Sequence, residues 1–154
     1  MGKMTVYHGS YTTIEKPEII IGKNTKDFGQ GFYCTVIREQ AERWAKRYKT
    51  SIVNAYTVSI NTDLKILEFT AMTEDWLDFI IRCRQGVSHN YDLVIGAIAN
   101  DQIYNYIADY MNGILTREQF WIMAKFKYPT HQINFCTKKA LLSINYVSSE
   151  VIEK

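Results

Sequence analysis

The spacing of apolar positions divides the chain into short elements of two kinds. Ile37, Ala41, Trp44, Ala45 and Tyr48 recur at helical intervals on one face, while Arg43, Lys46, Arg47 and Lys49 fall around the outer face. That period predicts an amphipathic helix with Thr35 as its cap and Val36 as its first residue. Thr73 begins a second helix through about Arg84, with Trp76, Leu77, Ile80 and Ile81 inward. Gln102 to Met111 and Thr116 to Lys125 read as two shorter helices, and Thr116 with Gln119 fits a capping box for the latter.

The extended segments are shorter. Thr5 to His8 and Phe32 to Thr35 read as strands at the edges of loops, and Ile19 to Ile21 as a buried extended piece. Ile52 to Ile60, rich in Val, Ile, Thr and Tyr, is a strand, with Lys65 to Phe69 expected as its neighbour across the turn residues Asn61 to Asp63. Asp92 to Ile98 and Gln132 to Thr137 are strands, Lys138 to Leu142 a helical turn, and Ser143 to Val147 a last strand. Strands and helices do not alternate strictly, which argues against a doubly wound parallel sheet. The expected class is α+β, with a mostly antiparallel sheet and flanking helices.

Composition narrows this little. The 154 residues contain only two prolines, Pro17 and Pro129, and no low-complexity linker, so one domain over residues 1–154 is expected. A net charge of +2 is too small to argue for nucleic acid or a membrane surface, and the basic helix face reads as solvated. Cys34, Cys83 and Cys136 are odd in number and far apart, which fits reduced, buried thiols in a cytoplasmic protein. No apolar run approaches the length of a bilayer span, and the N-terminus has no signal-peptide pattern. A soluble protein without a membrane partner is expected.

The three histidines, His8, His89 and His131, lack metal-ligand spacing, so no metal is expected. Signatures of serine hydrolases and phosphate-binding loops are absent. What stands out is His8-Gly9-Ser10 directly after a predicted strand, and Asp27-Phe28-Gly29-Gln30-Gly31-Phe32-Tyr33 leading into another. Glycine allows positive φ, or close approach of backbone to a ligand.

In combination these segments resemble the ADP-ribosyltransferase superfamily, in its histidine-tyrosine-glutamate branch of diphtheria-toxin-like and poly(ADP-ribose)-polymerase-like enzymes. His8-Gly9-Ser10, with Thr12 and Thr13 behind, is similar to the branch's first-strand NAD motif. Phe28 to Tyr33 is similar to its Phe-Gly-x-Gly-x-Tyr motif, and Trp44 stands where the branch places a second stacking ring. The chain also resembles a small bacterial family assigned to this superfamily, with members that look like toxins of toxin–antitoxin pairs. The motifs cover residues 6–45 and 132–137.

The resemblance implies an ADP-ribosyltransferase-like split sheet, with NAD⁺ as co-substrate. It implies that His8 bonds a ribose hydroxyl of the adenosine half. Gly9 would pair its backbone N–H and C=O with the nicotinamide carboxamide, and Ser10 would add a hydroxyl. Phe28, Gly29 and Gly31 belong to the same cofactor-binding motif. Tyr33 and Trp44 would sandwich the cationic nicotinamide ring, each worth about 0.5–2 kcal/mol. Lys23 and Lys26 would face the pyrophosphate. The catalytic set implied is His8, Tyr33 and Gln132. Here the chain departs from the branch, since Gln132 stands where a glutamate is expected. Glutamine keeps an acceptor oxygen but lacks the charge that stabilises an oxocarbenium-like transition state.

The implied function is a mono-ADP-ribosyltransferase acting on a protein or nucleic acid, as a toxin with a protein antitoxin. The alternatives are a non-catalytic NAD- or ADP-ribose-binding module, and an NAD glycohydrolase.

Overall fold

A computed structural model describes residues 3–19, 28–60, 63–97, 101–124 and 131–153. The segment richest in β-branched residues forms β3 (Ile52–Ser59), the centre of a three-stranded antiparallel sheet. β1 (Lys3–Ser10) flanks it on one side, in register from Lys3 opposite Ser59 to Ser10 opposite Ile52. β7 (Ile144–Val151) flanks it on the other, with a register shift between Ala55 and Tyr56.

A second sheet runs in the order β2 (Phe32–Cys34), β6 (Gln132–Phe135), β5 (Leu93–Gly96), β4 (Ile66–Glu68). Its β4–β5 pair is parallel and its other pairs are antiparallel. Among the described residues the two sheets meet at one bridge, between Tyr7 and Thr35. The helices are α1 (Arg38–Ala45), α2 (Glu74–Arg84), α3 (Asp101–Met111), α4 (Arg117–Met123) and α5 (Lys138–Leu141). The α+β class expected from the sequence is the class observed. Among the described residues no helix is long and apolar enough to cross a membrane.

β5 and β6 are buried at every position because each of their faces meets a core. One core lies between the sheets and contains Val6, Phe32, Cys34, Tyr56, Ile133 and Phe135. The other lies on the far face and joins Phe28, Trp76, Leu77, Ile80, Val94 and Phe120. Strands enclosed on both faces lose the apolar–polar alternation of a half-exposed strand.

Several local expectations are corrected. Lys65 to Phe69 does not neighbour the 52–59 strand, whose two sides are taken by β1 and β7. It joins β5 instead, where the Asp92 carboxylate accepts the Lys65 amide at 2.8 Å and the Lys65 carbonyl accepts the Asp92 amide at 2.7 Å. Thr35 does not cap the first helix. Its backbone is tied both ways to Tyr7, so the helix begins at Arg38 with Ile37 in the cap position and no side-chain cap. The helix ends at Ala45, so Tyr48 falls beyond it, exposed, against Tyr11. The last strand runs four residues further than expected, to Val151, because β3 offers it partners as far as Ile52. The second helix follows Thr73, whose hydroxyl accepts the Trp76 amide, and the Thr116–Gln119 capping box is formed. The expected elements reaching Ile20–Ile21, Asn61–Thr62, Ile98 and Lys125 extend outside the described residues, as do Lys23 and Lys26.

Candidate functional site

The split between the sheets begins at His8. Tyr7 donates to the Thr35 carbonyl at 2.8 Å and accepts the Thr35 amide at 2.9 Å. An antiparallel ladder continued in that register would put Gly9 opposite Tyr33. Instead the His8 imidazole occupies the Tyr33 carbonyl, with Nδ1 at 2.5 Å. A carbonyl only accepts, so Nδ1 carries the proton and Nε2 is the acceptor nitrogen of the neutral ring. The ring lies on Phe32, with centroids 4.3 Å apart and planes 27° apart. By strand alternation the Gly9 N–H and C=O point to the same outer side of β1 as those of Tyr7. Among the described residues they have no backbone partner on that side.

The other face of β1 explains why residue 9 is glycine. A Cβ there would lie 2.2 Å from the Ala41 carbonyl oxygen, 2.7 Å from the Ala45 nitrogen and 3.0 Å from the Trp44 Cβ. Helix α1 thus rests directly on β1, which sets the half-buried Trp44 beside Gly9. Ser10 is buried and its hydroxyl accepts the Thr12 amide at 3.3 Å. Beneath it the buried Asn54 gathers the turn. Its Nδ2 donates to the Thr12 carbonyl at 3.2 Å, and its Oδ1 accepts the Ile14 amide at 3.0 Å and the Ser149 hydroxyl at 2.6 Å.

The glycine-rich turn is held from inside. The Tyr33 hydroxyl accepts the Phe28 amide at 3.0 Å and donates to the Gly29 carbonyl at 2.5 Å. Asn134 Nδ2 donates to the carbonyls of Phe28 and Gln30, each at 3.1 Å. His89 Nε2 donates to the Phe28 carbonyl at 3.2 Å. Gly29 sits at φ +83°, a region that favours glycine. A Cβ on Gly31 would fall 2.0 Å from Asn134 Oδ1 and 2.7 Å from the Phe135 carbonyl. Phe28 is fully buried against Phe69 and Phe79, so its ring offers no surface to a cofactor. It anchors the turn instead.

Tyr33 pairs with Asn134 in the β2–β6 ladder, and Gln132 shares Asn134's face by alternation. Tyr33 is half-buried, whereas Gln132 is 2% exposed and pairs with Gly96. The chain thus joins His8 to Tyr33 and Gly9 to Trp44, and sets Gln132 on the same face as Tyr33. Sequence reasoning missed Asn54, Asn134 and Gln40. Asn54 and Asn134 carry a signal, a polar residue within an apolar stretch, which when buried must find bonds, whereas Gln40 lies among the polar residues Arg38, Glu39, Glu42 and Arg43 and carries none. Gln40 is 3% exposed and clamps the start of β6. Its Oε1 accepts the His131 amide at 3.2 Å and its Nε2 donates to the His131 carbonyl. All three cysteines are free. Among the described residues no group of side chains has the makings of a metal site.

A family model described as "Protein of unknown function (DUF3990)" matches residues 4–146, a span that holds His8, Gly9, Ser10, Phe28, Gly29, Gly31, Tyr33, Trp44 and Gln132. No curated protein and no solved structure matches the chain.

Proposed function

The chain belongs to the DUF3990 family, and within it we propose an NAD⁺-dependent mono-ADP-ribosyltransferase that modifies a protein or a nucleic acid. The observation that carries the reading is the pair of Gly9 backbone groups at the split, left without a backbone partner among the described residues. A donor and an acceptor side by side on one strand edge match a primary carboxamide, the recognition group of nicotinamide. His8 holds the split open and, through Nε2, has the tautomer that accepts a ribose hydroxyl. Trp44 and Tyr33 supply the aromatic faces that a cationic ring favours. Ser10 and the 28–31 turn act through the backbone they fix. This reading carries with it the resemblance to the ADP-ribosyltransferases, including a toxin role opposed by an antitoxin.

NAD⁺ supplies an activated glycosidic bond, and the protein's share is to bind, orient and exclude water. Gln132 offers an acceptor oxygen and no charge. Losing a charged stabiliser costs about 3 kcal/mol by comparison with removal of one electrostatic contact elsewhere, so slow transfer is expected. The burial of an uncharged Gln132 favours a second reading, in which the site binds NAD⁺ or ADP-ribose and performs no transfer.

Incubation with labelled NAD⁺ and cell lysate separates these. Label on macromolecules, lost in His8→Ala and Gln132→Ala, supports the transferase. Binding without nicotinamide release supports the second reading. Nicotinamide release without labelled macromolecules makes water the acceptor.

A further inference from the structure

A cavity of about 310 Å³ lies at the ends of β4 and β5, and none of the residues assigned to NAD⁺ above lines it. Its polar lining includes Glu68 and His131, and its apolar walls include Phe69, Ile95 and Ala97. Glu68 pairs with Ile95, and Ile95 with Ile133, so the three share one face of the sheet. His131 precedes Ile133 by two residues and reaches the same face. Glu68 and His131 thus stand on either side of β5 and line one hollow.

Both halves of His131 are fixed. Gln40 clamps its backbone, and Nδ1 accepts the Val36 amide at 3.4 Å. With Nδ1 accepting, the proton of the neutral ring sits on Nε2, which is then a donor. Burial favours that neutral form by lowering the imidazole pKa, and Glu68 opposes the shift in part. The hollow therefore presents a carboxylate acceptor and an imidazole N–H donor between apolar walls. A guanidinium would leave the N–H without an acceptor, and a phosphate would meet the carboxylate with like charge. Its volume is at the small end of ligand pockets.

We propose that this cavity binds a vicinal pair of hydroxyls, as on a ribose, with one hydroxyl donating to Glu68 and the other accepting from His131 Nε2. No residue of the Gly9 strand edge lines the cavity, and the proposal stands or falls without the NAD⁺ reading.

The test is a titration of the isotopically labelled full chain with adenosine, followed by NMR, with 2′,3′-dideoxyadenosine and nicotinamide as further probes. The expected result is a saturable shift of the His131 ring and of the Thr70 and Ala97 amides with adenosine alone. Glu68→Gln and His131→Phe each weaken that response by about tenfold or more, while amides far from the cavity keep their positions and report an intact fold. An equal response to the dideoxy compound, a response to nicotinamide instead, or no shift at these residues would overturn the proposal. Shifts confined to the neighbourhood of Gly9 would overturn it too, while supporting the NAD⁺ site.

Discussion

The His8 imidazole donates from Nδ1 to the Tyr33 carbonyl at 2.5 Å, where a continued ladder would have placed the Gly9 amide. One side chain thereby ends the pairing of two strands. It also leaves a glycine's backbone groups at the mouth of the gap. Fixing the histidine tautomer and opening the edge are two results of the same bond.

Gly9→Ala should be among the most damaging single-methyl changes in the chain. The added carbon meets backbone atoms of α1 at 2.2 and 2.7 Å, and backbone cannot rotate aside. Overpacking of flexible cores costs about 1–3 kcal/mol, and this site should reach the upper end or fail to fold. Thermal unfolding checks it. A melting temperature within a degree or so of the parent would mean that α1 does not rest on Gly9.

Asn134→Ala removes the bonds to the Phe28 and Gln30 carbonyls, and of these donors His89 alone then remains on the Phe28 carbonyl. The expected loss is about 1–3 kcal/mol, for two hydrogen bonds at about 0.5–1.5 each. Urea denaturation measures it. Hydrogen exchange should quicken at the Phe28 amide, which donates to Tyr33, even where global unfolding is not reached.

Acid should destabilise the protein in two steps. Burial holds His131 below the usual imidazole range, so the unfolded chain takes up the proton first. Its contribution is present above that range and is lost as pH falls through it. Asp92 is held below the usual carboxylate range, first by the Lys65 amide and then by the Thr137 hydroxyl. Its contribution is present above the carboxylate range and is lost as pH falls through it. Stability measured against pH should lose its slope between about pH 5 and 7 in His131→Asn, and flatten below about pH 4 in Asp92→Asn. Unchanged profiles would contradict these placements.

Thiol alkylation should be slow in the native state. Burial pushes Cys136 up to about 12, with nearby Cys83 adding to it, and raises Cys34 well above the ordinary thiol range. Only the thiolate reacts, so iodoacetamide at pH 8 should label these residues after unfolding and hardly before. Rapid native labelling of Cys34 would contradict its burial.

Helices with a clear apolar period, such as 74–84, were legible in the sequence, as was the Thr116–Gln119 cap. The order of strands was not, because Ile66–Glu68 carries no mark that says which neighbour it joins. That choice was made by β3 having both sides filled and by Asp92 reaching Lys65. In the site, the His8 and Tyr33 motifs were legible as segments. Their bond was not, since it depends on how two strands diverge. The glycines were read as room for a ligand, yet Gly9 and Gly31 are also demanded by α1 and Asn134 on their other sides. Asn134 and Gln40 stayed hidden because their partners lie about a hundred residues away along the chain.

The central claim is that the Gly9 edge receives the nicotinamide end of NAD⁺. Its most direct test is a titration of the ¹⁵N-labelled chain with NAD⁺, watching the Gly9 amide and the His8 ring. A saturable shift at both is predicted, competed by nicotinamide and abolished in His8→Ala with the rest of the spectrum intact. No shift at Gly9 at millimolar NAD⁺ would contradict it.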